Sequence, residues 1–167
     1  MIQAALSIGS NLGGRFTNLQ FALDELAKRK CHILACSAVY ETDPVGGVEQ
    51  DPYLNVAVIV ETELDPEALL RSALAVEDLA HRVRDVRWGP RTLDIDVIDV
   101  VGFSHATAEL TVPHPRAHER AFVLVPLFEI APAWKLGGTR PVSELLAEVE
   151  NQKVTKCADL NLVGWQM

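Results

Sequence analysis

Asp94 and Asp96 stand two apart in the run TLDIDV, residues 92–97. If that run is a strand, both carboxylates project from one face roughly 7 Å apart, and Leu93, Ile95 and Val97 turn to the core. Adjacent carboxylates repel, and the usual relief is a raised pKa, solvation or a bound divalent cation. An isolated D-x-D is most simply a solvated outer face. The preceding RVRDVRWGPR changes that reading: Arg82, Arg84, Arg87 and Arg91 are opposed only by Asp85, a local charge of about +3. Carboxylates holding hard cations beside several guanidinium groups suit phosphoryl transfer, in which metals bridge phosphate oxygens and arginines neutralise the rest. Gly89 and Pro90 make the arginine segment a turn-like, mobile loop that can close over a ligand.

A second polar set lies in YLNVAVIVETEL, where Tyr53 and Asn55 share one face of an otherwise apolar run. An amide in a buried strand needs a partner. That partner is either neighbouring backbone or the edge of a flat heterocycle on which Tyr53 stacks, with Thr42 as a further polar contact. LTVPHPRAHERAF places His114 and His118 four apart with Arg116 and Arg120 interleaved. Pro113 and Pro115 argue against a helical His-metal pair there and favour phosphate or nucleotide contacts. GSNLGG lacks both G-x-G-x-x-G and a Lys-Ser/Thr ending, so it reads as a turn in which Gly9 permits close approach.

The elements that must carry these residues follow from periodicity. MIQAALSIG is a strand; RFTNLQFALDELAKRK places Phe16, Leu19, Leu23 and Leu26 at helical spacing and ends on basic residues. HILACSAVYET and YLNVAVIVETEL are strands paired antiparallel across DPVGGVEQDP. DPEALLRSALAVEDLAHRV is a helix capped by Asp65, with Pro66 in its first position and an apolar stripe through Leu69, Leu70, Ala73, Leu74 and Val76. TLDIDVIDVVGF closes a β-α-β-β-α-β order, the ferredoxin-like α+β arrangement of an antiparallel sheet with helices on one face. The last third adds short strands and helices that cover the other side as an α/β/α stack. Residues 1–167 read as a single domain, with 151–167 a tail of unassigned role.

The chain has 167 residues and a mass of 18.3 kDa, with 49% hydrophobic and 23% charged residues, an ordinary globular composition. A net charge of -8 and a pI near 5.1 argue against broad nucleic-acid or anionic-membrane binding. The apolar runs are too short to span a membrane and the N-terminus lacks a basic leader, so a cytoplasmic protein is expected. Cys31, Cys36 and Cys157 cannot all pair. Cys31 and Cys36 are an odd number apart in a strand and are expected to face opposite ways as buried, reduced thiols.

Taken in order, SIGSNLG, DPYLN, RWGPRTLDIDV and LTVPHPRAHERAFVLVPLFEIAP closely resemble the 6-hydroxymethyl-7,8-dihydropterin pyrophosphokinase family over residues 2–150. The resemblance implies transfer of an intact diphosphate from ATP to a reduced pterin, releasing AMP, with two Mg2+ ions held by Asp94 and Asp96. It implies phosphate-side roles for Arg82, Arg84 and Arg91, of which Arg82 and Arg91 are catalytic, and nucleotide contacts from Glu77, Arg87, Trp88, Val97, Thr111, His114 and Arg120. Tyr53 and Phe122 then sandwich the pterin, Asn55 and Thr42 read its edge, and Gly9, Val45 and Trp88 line the pocket. Asp43, Glu109 and Pro115 depart from the family pattern, and the tail has no counterpart in it. ATP and the pterin are the expected partners of a monomer that binds neither nucleic acid nor membrane. A non-catalytic ferredoxin-like module that binds a small ligand is the alternative, and it would not need paired carboxylates facing an arginine loop.

Overall fold

The computed structural model describes residues 1–43, 50–80 and 92–165. The first seven elements are β1 (Ile2–Ser10), α1 (Arg15–Lys28), β2 (Cys31–Cys36), β3 (Val39–Thr42), β4 (Tyr53–Thr62), α2 (Pro66–Ala80) and β5 (Asp94–Val100). A hairpin of β6 (His105–Ala106) and β7 (Thr111–Val112) follows, then a 3-10 turn (Ala117–Glu119) and α3 (Ala121–Ile130). The chain ends with β8 (Lys135–Leu136), β9 (Arg140–Pro141), α4 (Val142–Leu145), a 3-10 turn (Leu146–Val149) and β10 (Val154–Cys157). The expected β-α-β-β-α-β order holds, with the second strand divided into β2 and β3. Both halves pair antiparallel with β4, and Ser37 makes the bend between them, accepting from the Ala57 N–H at 2.9 Å and donating to the Ala38 carbonyl at 2.8 Å.

The principal sheet runs β10-β3-β4-β1-β5, with β2 also beside β4. One face carries Leu6, Ile8, Val56, Val58, Ile95 and Val97 against α1 and α2, which contribute Leu19, Leu23, Leu69 and Val76. The other carries Ala5, Ala57, Ile59 and Ile98 against α3 and α4, which contribute Leu124, Leu127 and Val142. Helices on both faces complete the three-layer α/β/α stack. Asp65 caps α2 as expected, its Oδ1 accepting from the Ala68 N–H at 2.8 Å. Leu74 departs from the expected apolar stripe: it is 46% exposed.

The cysteines also differ from expectation. Cys31 and Cys36 both join the core beneath α1 and α2, because a register shift between Ile33 and Ala35 restores Cys36 to the face that Cys31 occupies. They remain free thiols, and Cys157 is only part-buried. Burial pushes the Cys36 thiol up to about 12, an inert structural cysteine.

Candidate active site

The site grows out of the α3 face of the sheet, where that face changes from apolar to polar. Along β4 the inward residues on this side are Ile59, Ala57, Asn55 and Tyr53; along β1 they are Ala5, Ser7 and Gly9; along β5 they are Ile98, Asp96 and Asp94. The apolar members lie under α3, and the polar ones continue beyond it. Register joins them: Gly9 pairs with Asn55 on one side and Asp94 on the other, and Ser7 pairs with Asp96. Tyr40 pairs with Asn55 and Thr42 with Tyr53, so the polar face continues onto β3.

Asn55 is 3% exposed, and its Nδ2 donates to Thr42 Oγ1 at 2.8 Å. Its Oδ1 lies over Gly9, where an added Cβ would stand 2.6 Å from that oxygen and 3.3 Å from Tyr53 Cδ1. Glycine is therefore required by close approach. Asn11 and Arg15 brace the chain just before Tyr53. Asn11 Nδ2 donates to Gln50 Oε1 and the Asp51 carbonyl, and Arg15 to the Pro52 carbonyl and Glu41. Asn11, in the run GSNLGG, is thus a support of the site that sequence reading treated as a turn residue.

Asp94 and Asp96 are half-buried at the start of β5, with Leu93, Ile95 and Val97 buried between them as alternation requires. Glu77 reaches them from α2: its Oε2 accepts from the Ile95 N–H at 2.7 Å. Burial pushes the Glu77 carboxyl up to about 8; the Ile95 N–H opposes the shift, and the charges of Asp94 and Asp96 add to it. Among the described residues no three such side chains are placed to hold a metal together, but the neighbouring carboxylates Asp94 and Asp96 are a pair whose repulsion a divalent cation would relieve, so these two residues fit the metal that the sequence implies.

A cavity of about 360 Å³ along the outer edge of β5 gathers Glu77, Asp94, Asp96, Val97, Thr111 and His114. Its remaining walls include Leu70, Leu74 and Leu110, an apolar surface that sequence reading did not assign to a site. His114 Nδ1 accepts from the Arg116 N–H at 3.2 Å, which leaves Nε2 to carry the ring proton. Burial and the nearby Arg120 charge hold the His114 imidazole below its ordinary pKa, and His118 stands by Glu119 rather than beside His114 in the cavity. A second cavity, of about 440 Å³, brings together Thr42, Asp43, Arg116, Arg120 and Phe122, with the Arg120 guanidinium 5.5 Å above the Phe122 ring. The Thr42–Asn55 hydrogen bond links it to the Gly9–Tyr53 cluster. Val45, Arg82, Arg84, Arg87, Trp88 and Arg91 lie outside the described residues. Among the departures from the family pattern, Asp43 lines the second cavity and Glu109 and Pro115 the first.

The model of the 7,8-dihydro-6-hydroxymethylpterin-pyrophosphokinase (HPPK) family matches residues 5–132. A 2-amino-4-hydroxy-6-hydroxymethyldihydropteridine pyrophosphokinase of Methylorubrum extorquens is 44% identical over 151 residues, covering 90% of this chain and 95% of that protein. The corresponding proteins of Mycobacterium tuberculosis and Haemophilus influenzae are 43% and 36% identical, over 90% and 93% of this chain and 85% and 98% of theirs. Among solved structures, wild-type Plasmodium falciparum HPPK-DHPS with SDX-DHP superposes with a TM-score of 0.70 at 14% identity, over 88% of this chain and 44% of that one. That likeness concerns the fold, and this chain spans less than half the length of that protein.

Fold and relatives together define the class as an ATP-dependent diphosphotransferase on an α+β scaffold. The chain belongs to the 7,8-dihydro-6-hydroxymethylpterin-pyrophosphokinase family, and the non-catalytic alternative is not favoured.

Proposed function

We propose that this pyrophosphokinase transfers an intact diphosphate from ATP to the hydroxymethyl group of 6-hydroxymethyl-7,8-dihydropterin, releasing AMP, as a step of folate biosynthesis. The observation that carries the reading is the register at Gly9, which sets the Asn55 amide on one side of a bare backbone and the Asp94 carboxylate on the other. A pterin read by Asn55 and Thr42 and held between Tyr53 and Phe122 would thus present its hydroxymethyl group towards the carboxylate pair.

The nucleotide occupies the cavity along β5, in contact with Glu77, Val97, Thr111 and His114, with Leu70 and Leu74 giving its apolar wall, and Arg120, which lines the second cavity and whose charge acts on His114, meets it from that side. Arg82, Arg84 and Arg91 serve the phosphates, Arg82 and Arg91 acting on the reacting group, while Arg87 and Trp88 contact the nucleotide and Trp88 also lines the pterin pocket. The pterin hydroxyl oxygen attacks the β-phosphorus in line, the bond from that phosphorus to the bridging oxygen breaks, and its electron pair leaves on the α-phosphate of AMP. The hydroxyl proton passes to Asp96 or to water beside it. Two magnesium ions held by Asp94 and Asp96 would supply charge neutralisation across the phosphate oxygens. Positioning and electrostatics provide the rate, with no covalent enzyme intermediate. We read residues 1–167 as one domain, acting as a cytoplasmic monomer; among the described residues no helix is long and apolar enough to cross a membrane.

The test is incubation with ATP, magnesium and the reduced hydroxymethyl pterin. AMP should form in step with pterin diphosphate, and ADP as the product would overturn diphosphate transfer.

A further inference from the structure

The C-terminal segment, beyond the residues matched to the family model, lines the second cavity with Gln152, Lys153 and Val154, and Gln152 also bonds the backbone beside Arg120. Gln152 Oε1 accepts from the Ala121 N–H at 2.9 Å, and its Nε2 donates to the Glu119 carbonyl at 2.7 Å. These two backbone groups flank Arg120, the extended residue (φ -119, ψ 108) between the 3-10 turn and α3. The Ala121 N–H belongs to the first turn of α3, where donors have no helical acceptor, and Arg120 provides no side-chain cap. Gln152 supplies the missing acceptor from a distant part of the chain. Two residues further on, Val154 pairs with Thr42, whose hydroxyl holds Asn55. A single short stretch therefore ties the end of α3 that carries Phe122 to the strand that carries Thr42, and both residues line the same cavity.

We propose that Gln152 is a positioning residue for pterin binding: by clamping the backbone on both sides of Arg120 it fixes the Phe122 ring against the cavity shared with Thr42. The proposal rests on the reading above in which Phe122 is a wall of the pterin site. Gln152 is itself exposed and outside both cores, so its replacement leaves the packing beneath the sheet intact.

The test is a double-mutant cycle. The reduced hydroxymethyl pterin is titrated into protein holding magnesium and a non-hydrolysable ATP analogue, for wild type, Gln152→Met, Phe122→Ala and the double variant. Methionine keeps the length of the side chain and removes both hydrogen bonds. Gln152→Met is expected to raise the pterin Kd roughly fivefold to tenfold, within the range of coupling between neighbouring residues, with the Kd of the ATP analogue changed by less than about twofold. In the Phe122→Ala background the same substitution should add nothing, because the effect passes through that ring. An unchanged pterin Kd in Gln152→Met, or additivity with Phe122→Ala, overturns the positioning role while leaving the site assignment intact. An unchanged pterin Kd in Phe122→Ala instead removes the site assignment, and the proposal with it. Gln152→Glu, which keeps the acceptor for Ala121 but turns an anion on the Glu119 carbonyl, decides the matter if the methionine variant folds poorly: an unchanged pterin Kd there is equally fatal.

Discussion

Gly9 has no side chain, and the Asn55 amide occupies the space that one would fill. Gly9→Ala would drive a methyl against Asn55 Oδ1 and the Tyr53 ring, both inside the proposed pterin cluster. Overpacking of this kind costs about 1–3 kcal/mol, so if it is relieved at the pterin cluster, pterin affinity should fall by roughly fivefold to 150-fold. The affinity for ATP should hold, because the cavity proposed for the nucleotide lies along β5, away from Gly9. Calorimetric titration of each ligand tests this, and equal losses for both would contradict the division of the site. Asp94→Ala and Asp96→Ala belong to the same scale. Each should lower turnover by on the order of 10²-fold or more at saturating magnesium while circular dichroism stays unchanged. Near-normal turnover in either variant would remove that carboxylate from the metal site. These carboxylates and Asn55 were legible in the sequence because side-chain direction alternates within a strand. Glu77 carried no such local signal, since its role depends on the Ile95 N–H that it meets across the fold.

At the scale of elements, α3 is fastened to the start of β3 by Glu129, which accepts from the Ala38 N–H and the Tyr40 hydroxyl. Burial, and then the hydrogen bond and charge of Glu129, push the Tyr40 phenol well above its ordinary pKa. A pKa raised on folding contributes stability that is complete below the unfolded value, about 10, and is lost as pH rises through the folded value. Wild-type stability should therefore fall above about pH 10. Tyr40→Phe should be less stable at pH 7 by about 1.5–3 kcal/mol, the worth of a hydrogen bond to a charged acceptor, yet flatter with pH in the alkaline range. Urea midpoints across pH 7 to 11 measure both effects, and parallel curves for the two proteins would refute the assignment. Both helices of the β-α-β-β-α-β unit were visible from their apolar spacing. The division of the second strand at Ser37 and the register shift that turns Cys36 inward were not, because both are set by how β2 and β3 follow β4.

Across the whole molecule, the C-terminus returns to the body twice. β10 adds to the edge of β3, and the residues after it cross α1, where Leu162 is 7% exposed and Leu160 and Trp165 pack on the core. Gln20 exchanges two hydrogen bonds with the Val163 backbone, accepting from its N–H and donating to its carbonyl. Removing residues 158–167 forfeits at least one buried leucine, about 1.5–3 kcal/mol, and for a chain of this size should lower Tm by roughly 5–10 °C. Because β10 remains beside Thr42, the affinities for ATP and pterin should change by less than about twofold, well short of the loss of a whole hydrogen bond. Thermal scans and ligand titrations separate these effects, and an unchanged Tm would show that the tail carries no stability.

By itself the sequence determined the order of elements, the shared face of Asp94 and Asp96, the shared face of Tyr53 and Asn55, and the crowding of arginines beside the carboxylates. All of these follow from backbone periodicity or from charge counted over a few neighbours, which act locally. Tertiary structure decided that Gly9 lies between Asn55 and Asp94, that Leu70 and Leu74 line the cavity along β5, and that Gln152 reaches back to α3. The physical reason is that strand register and the meeting of distant segments depend on which surfaces are buried together, a choice made by the whole packed chain.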